Sequence, residues 1–82
     1  MIKVLFFAKL KQQLNCQQLD IAAKNISNIA ELKAALIKLQ PQWQPYLFAH
    51  NIIAAVNQET ANGSSAVKAG DEIAFFPPVT GG

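Results

Sequence analysis

The stretch ISNIAELKAALIKLQP, residues 26–41, decides how the rest of the chain must fold. Ile29, Leu32, Leu36 and Leu39 recur at spacings of three and four, which draws one apolar stripe along an amphipathic helix. Asn28 with Glu31 three residues later is a capping-box-like start, with Asn where Ser or Thr is more usual. Lys33 falls off the stripe, on the side expected to face water. Pro41 closes the helix, because it lacks an amide hydrogen and drives Gln40 from helical geometry. A helix with one stripe buries it against one surface, and the flanking sequence supplies that surface as a sheet.

Before the helix, IKVLFFA (Ile2 to Ala8) is apolar on both parities and reads as a central strand. Lys3 marks its outward parity, shared by Leu5 and Phe7, while Ile2, Val4 and Phe6 point to the core. KLKQQLN (residues 9–15) is a helical turn or a plain connection, and QQLDIAA (Gln17 to Ala23) is a second strand. After the helix, QPQWQPYLFAH (residues 40–50) reads as irregular, with Trp43, Tyr46, Leu47 and Phe48 folding back on the core edge. IIAAVN (Ile52 to Asn57) is a third strand. A turn-rich segment with an Asn-Gly pair follows, with room for one short strand. EIAFF (Glu72 to Phe76) is the last strand, with Ile73 and Phe75 inward and Ala74 and Phe76 outward.

Strand, strand, helix, strand, short strand, strand is an α+β order. With the two most apolar strands, first and last, at the centre, it describes a β-grasp, the ubiquitin-like architecture. The expectation is a mixed sheet of four to five strands, one main helix packed across one face, and a flexible C-terminal tail. Residues 1–77 form the domain and residues 78–82 the extended tail. A split βαβ, ferredoxin-like order is the alternative. It requires a helix between the later strands, and QETANGSSAVKAG (residues 58–70) is a poor one.

Composition narrows the function. Half of the 82 residues are apolar, as in a globular domain. The formal charge of +2 rests on lysines alone, scattered along the chain, with no arginine for phosphate forks. Nucleic acid is therefore not an expected partner. Cys16 is the only cysteine and His50 the only histidine, so neither a disulfide nor a multi-cysteine metal site is expected. The opening MIKVLFFAKL lacks a basic leader and a small-residue cleavage site, and no run has the length of a membrane span. A cytoplasmic location is the expectation.

The distinctive chemistry is in FFPPVTGG, residues 75–82. Pro77 and Pro78 stop strand pairing and hold the exit extended, after which Gly81 and Gly82 are permissive. Fully extended, the segment from Pro78 to Gly82 projects roughly 15–17 Å. A terminal glycine leaves its carboxylate unshielded by any Cβ, free to enter a narrow slot on a partner. If the first and last strands are neighbours, Phe7 and Phe76 share the face away from the helix, an apolar patch beside that exit. A loop bearing Trp43 would be the alternative cover for them.

AAVNQ (residues 54–58), GDEIAFFPPVTGG (residues 70–82) and the opening MIKVLFFAKL together resemble the small subunits of molybdopterin synthase, a ubiquitin-like sulfur-carrier family. The resemblance spans the chain in length and element order, with its most specific block at the C-terminus. It implies that an adenylyltransferase akin to ubiquitin-activating enzymes uses ATP to adenylate the Gly82 carboxylate, which then becomes a thiocarboxylate. The loaded tail would enter the large synthase subunit and give sulfur to cyclic pyranopterin monophosphate, forming the molybdopterin dithiolene of molybdenum cofactor. The assembly implied is a heterotetramer of two small and two large subunits, with no cofactor bound by this chain and the catalytic groups on the large subunit. Residue by residue, Phe7 and Phe76 fall on the family's apolar contact face. Lys11 stands where relatives often carry Arg, and Pro77, Pro78, Val79, Thr80, Gly81 and Gly82 fall on the inserting tail. Other readings are a carrier for thiamine or tRNA thiolation, a protein modifier conjugated through Gly82, and a non-covalent binding module.

Overall fold

The computed structural model describes residues 1–78; Val79, Thr80, Gly81 and Gly82 lie outside the described residues. Eight elements and a 3₁₀ turn follow the chain: β1 (Ile2–Phe6), α1 (Ala8–Leu14), β2 (Gln18–Ile21), α2 (Ile29–Leu39), the turn Pro41–Trp43, α3 (Gln44–Leu47), β3 (Ile53–Val56), β4 (Glu59–Ala61) and β5 (Glu72–Phe76). The sheet has the order β2-β1-β5-β3-β4. β1 and β5 lie parallel at its centre, while β2, β3 and β4 add antiparallel neighbours. This is the β-grasp order, with the first and last strands central as their apolar content demands. The ferredoxin-like alternative fails because residues 57–71 form a hairpin and turns instead of a helix.

The hairpin between β3 and β4 turns on Asn57 and Gln58, both left-handed at φ 49° and 73°. Two residues with positive φ match the twist of the strands they join. The Asn-Gly pair singled out in the sequence lies after β4. There the Asn62 side chain accepts from the Ser64 amide at 2.9 Å, making an Asx turn.

The core lies between the sheet and α2. Ile2, Val4 and Phe6 of β1 and Ile73 and Phe75 of β5 are fully buried, and Leu32 and Leu36 of α2 close over them. Phe6 packs nearly parallel to Phe75 at 6.0 Å and takes Trp43 edge-on at 5.4 Å. Asn28 caps α2 by accepting the Glu31 amide at 2.8 Å, as the spacing predicts. Glu31 reaches back to the amide of Ser27, one residue earlier than in the usual box. Asn28→Ala is expected to cost about 1 kcal/mol, lowering the thermal midpoint by about 4–8 °C in a domain of this size; a melting curve tests it.

The structure corrects several expectations. KLKQQLN takes the helical alternative and extends it beyond one turn, since most of it belongs to the seven-residue α1, which buries Leu10 and Leu14. Residues 40–50 are mostly helical, and only Trp43 and Leu47 enter the core, while Tyr46 and Phe48 remain exposed. Leu39 is 60% exposed, because the buried meridian of α2 runs through Ile29, Leu32 and Leu36 and leaves Leu39 at its edge. Lys33 flanks the same meridian on the other side and is not simply water-facing. Its Nζ lies 5.3 Å from the centre of the Phe48 ring and 5.9 Å from that of Phe75. Partial burial holds its ammonium below the ordinary lysine value.

One carboxylate ties the sheet's open end together. Asp71 is 6% exposed and accepts from the Lys68 amide at 2.9 Å and from the Asn57 side-chain amide at 3.0 Å. The Asn57 oxygen in turn accepts from the Glu72 amide. These donors, the Lys68 amide first, hold the Asp71 carboxyl below its ordinary value. A depressed folded-state pKa gives stabilisation that is complete above the unfolded value, about 3.9. It is lost as pH falls through the lower folded-state value. Asp71→Asn is therefore expected to melt lower than the parent at neutral pH, with the gap closing as pH falls below about 4; melting curves across that range check it.

Candidate functional site: the outer sheet face and the tail exit

The face of the sheet opposite α2 is built by alternation. Since Ile73 and Phe75 enter the core, Glu72, Ala74 and Phe76 come to the outer face. On β1, Lys3 and Leu5 do the same. Phe7 continues this alternation in extended geometry and its amide donates to the Phe75 carbonyl at 3.2 Å, carrying the ladder one step past the strand. Ala8 then takes a left-handed φ of 57°, which turns the chain off the sheet into α1. Phe7 is left 47% exposed beside β5.

The register places Phe76 next to Ile53, while Leu5, Ala74 and Ala55 fill the adjoining row. Phe7, Phe76 and Ile53 thus border small residues on a shallow apolar face. Trp43 does not cover it, because that ring packs into the core against Phe6. Ile53 was not singled out in the sequence, since its place depends on a pairing between strands distant in the chain.

Pro77 is half-buried and Pro78 exposed. Pro77 borders a small groove of about 190 Å³ together with Lys9, Gln13, Tyr46 and Asn51. Lys11 is exposed on α1, one turn beyond Phe7, and its amide donates to the Phe7 carbonyl at 3.3 Å. The structure therefore brings Phe7, Phe76, Pro77 and Lys11 to one region around the exit of the last strand. Lys9 and Tyr46 join them without a sequence signal, because the folding of residues 41–47 into helical turns is what brings Tyr46 there. Val79, Thr80, Gly81 and Gly82 lie outside the described residues.

Among the described residues no group of three or more His, Cys, Asp or Glu side chains is placed to hold a metal ion. Cys16 is half-buried, its thiol against the Gln18 carbonyl at 3.6 Å, and His50 is exposed in a turn. No helix of the described residues is long and apolar enough to cross a membrane.

The profile of the ThiS family matches residues 4–82. The chain belongs to the ThiS family. Over all 82 residues this ThiS-family chain is 37% identical to the molybdopterin synthase sulfur carrier subunit of Escherichia coli, with both chains covered completely. Among solved structures it resembles SAMP1 from Haloferax volcanii, at a TM-score of 0.84 and 26% identity over 99% of this chain and 98% of that one. It also resembles a chain in the protein–protein complex of subunits 1 and 2 of molybdopterin-converting factor from Helicobacter pylori. There the TM-score is 0.69 and the identity 27%, over 99% of this chain and 97% of that one.

Proposed function

We propose that this ThiS-family chain is the sulfur-carrier subunit of a molybdopterin synthase. The observation that carries the reading is the 37% identity, end to end, with a protein of that function. The Gly82 carboxylate is the loading point. A carboxylate is a poor electrophile, so a partner adenylyltransferase of the ubiquitin-activating type spends ATP to turn one oxygen into part of a leaving group. Sulfur from a donor displaces AMP and leaves a thiocarboxylate. That group is ionised at neutral pH and is a sulfur nucleophile without help from a base. Its sulfur bonds to a side-chain carbon of cyclic pyranopterin monophosphate as an oxygen leaves that carbon. Water then splits the acyl–sulfur bond to restore the Gly82 carboxylate, and two such transfers build the molybdopterin dithiolene, with acid–base groups supplied by the large subunit.

In this division of labour the chain supplies a docking face and a loaded tail, and the large subunit supplies the acid–base groups. Phe7 and Phe76 are the apolar anchors, and Lys11 is a point charge for an acidic group of the partner. The segment Pro77, Pro78, Val79, Thr80, Gly81 and Gly82 is the inserting tail, with residues 1–77 as the domain and residues 78–82 as its extension. The large subunit is the expected partner, in a heterotetramer of two small and two large chains in the cytoplasm. The Helicobacter pylori complex of subunits 1 and 2 supports the pairing.

A second reading, a protein modifier joined through Gly82 to lysines, draws on the likeness to SAMP1, also described as small archaeal modifier protein 1. The two readings share the acyl-adenylate and differ in what captures it. Intact mass of the protein from its native host separates them. A species with one oxygen replaced by sulfur at Gly82 is the expected result, and amide-linked conjugates without it would replace the carrier reading by the modifier one.

A further inference from the structure

We propose a second docking site, on the seam between β2 and the C-terminal half of α2, for an extended protein segment with apolar residues flanked by acidic ones. The seam lies on the helix side of the sheet and uses none of the residues assigned to the tail exit. β2 is an edge strand whose ladder partner among the described residues is β1 alone. The Phe6 amide donates to the Gln17 carbonyl, so residues 17, 19 and 21 turn their backbone groups toward β1. By alternation, the N–H and C=O of Gln18 and Asp20 turn to the open edge. The Cys16 thiol meets the Gln18 carbonyl there, and the backbone groups of Asp20 are left to pair with a new strand.

Two depressions run along this edge, of about 540 Å³ and 450 Å³, with Leu39 lining both. Leu19 stands in the first, and Ile21 and Ile26 in the second, under the wall made by α2. An added strand would therefore place alternate side chains against Leu39, while its backbone pairs with Gln18 and Asp20. That arrangement also accounts for a leucine left largely in water at the end of a buried stripe.

Charge selects the occupant. Lys24 and Lys38 line the second depression and are exposed, and neither depression is lined by an acidic residue. Asp20, the acid on β2, stands on the opposite face of the sheet. Edge backbone, apolar floor and two ammonium groups on the wall of the second depression together fit an extended, apolar segment with neighbouring carboxylates. A second β2 edge would bring no carboxylate to the helix side of the sheet, since neither depression is lined by one and Asp20 faces the other way.

The test uses the full chain, ¹⁵N-labelled, with the peptide acetyl-Glu-Glu-Val-Ile-Val-Leu-Glu-Glu-amide. Amide shifts should appear at Gln18, Asp20, Lys24 and along Ala35 to Leu39, leaving Phe7 and Phe76 unmoved. The doubly charge-reversed variant Lys24→Glu/Lys38→Glu, altered at exposed positions only, should bind about tenfold more weakly. A peptide with lysines in place of its glutamates should bind more weakly to the parent by a similar factor. Equal binding of both peptides, no shifts along the seam at millimolar peptide, or shifts elsewhere would overturn the proposal. Shifts along the seam that depend on protein concentration without peptide would assign it to a second copy and overturn it as well.

Discussion

A chain shortened by Gly82, or lengthened by one residue after it, is expected to transfer no measurable sulfur while folding like the parent. The carboxylate then sits one residue, about 3.5 Å, from its place. Misplacement of a reacting group by even 1 Å can cost about a hundredfold in rate. The fold should be untouched, because the hydrogen-bonded sheet ends at Phe76, well before the altered residue. Molybdopterin formation with the large subunit measures the first half of this expectation, and circular dichroism and melting the second. If either variant still makes molybdopterin at the parent's rate, the Gly82 carboxylate is not the loading point.

The second large effect separates two neighbouring phenylalanines. Phe75 is fully buried, packed against Phe6, with Lys33 over its ring. Phe75→Ala leaves a cavity at the centre of the sheet and should cost about 3–5 kcal/mol. A domain of this length has a total stability of only about 4–12 kcal/mol. The variant should therefore melt far below the parent or fail to fold. Phe76 lies on the opposite face, half-buried, with its neighbour Ile53 across the strand. Phe76→Ala should melt close to the parent and bind the large subunit about thirtyfold more weakly, as for an aromatic anchor worth about 2 kcal/mol. Melting and titration against the large subunit test both, and unchanged affinity in Phe76→Ala would remove the outer face from the docking surface.

The contrast between these residues was legible in the sequence, because a period of two is enough to sort Phe75 from Phe76 once Ile73 is placed inward. Parity did the same for β1, and spacing and capping did it for α2 from its cap at Asn28 through Ile29, Leu32 and Leu36. What escaped was whatever depends on the meeting of distant segments. AKLKQQL has only Leu10 and Leu14 to mark a helical face, and its start is hidden behind a run with strand character. Lys33 is four residues after Ile29 and three before Leu36, a spacing that borders the buried face. Only the arrival of Phe48 from beyond the helix shows what the lysine's ammonium lies over. Ile53 joined the outer patch through its register with β5. The groove at Pro77 arose because residues 41–47, read as irregular, wind into helical turns.

The parallel pair β1–β5 also has a bearing on how the protein is made. The strand synthesised first must wait, without its central neighbour, until the strand synthesised last has emerged. A chain interrupted anywhere before Glu72 leaves β1 and β3 with no strand to join them, so a premature product cannot settle into a native-like sheet. Such long-range closure is slow compared with local helix formation. It also acts as a check on completeness: the outer face of Phe7, Phe76 and Ile53, to which β5 contributes Phe76, exists only on molecules whose synthesis has run past that strand.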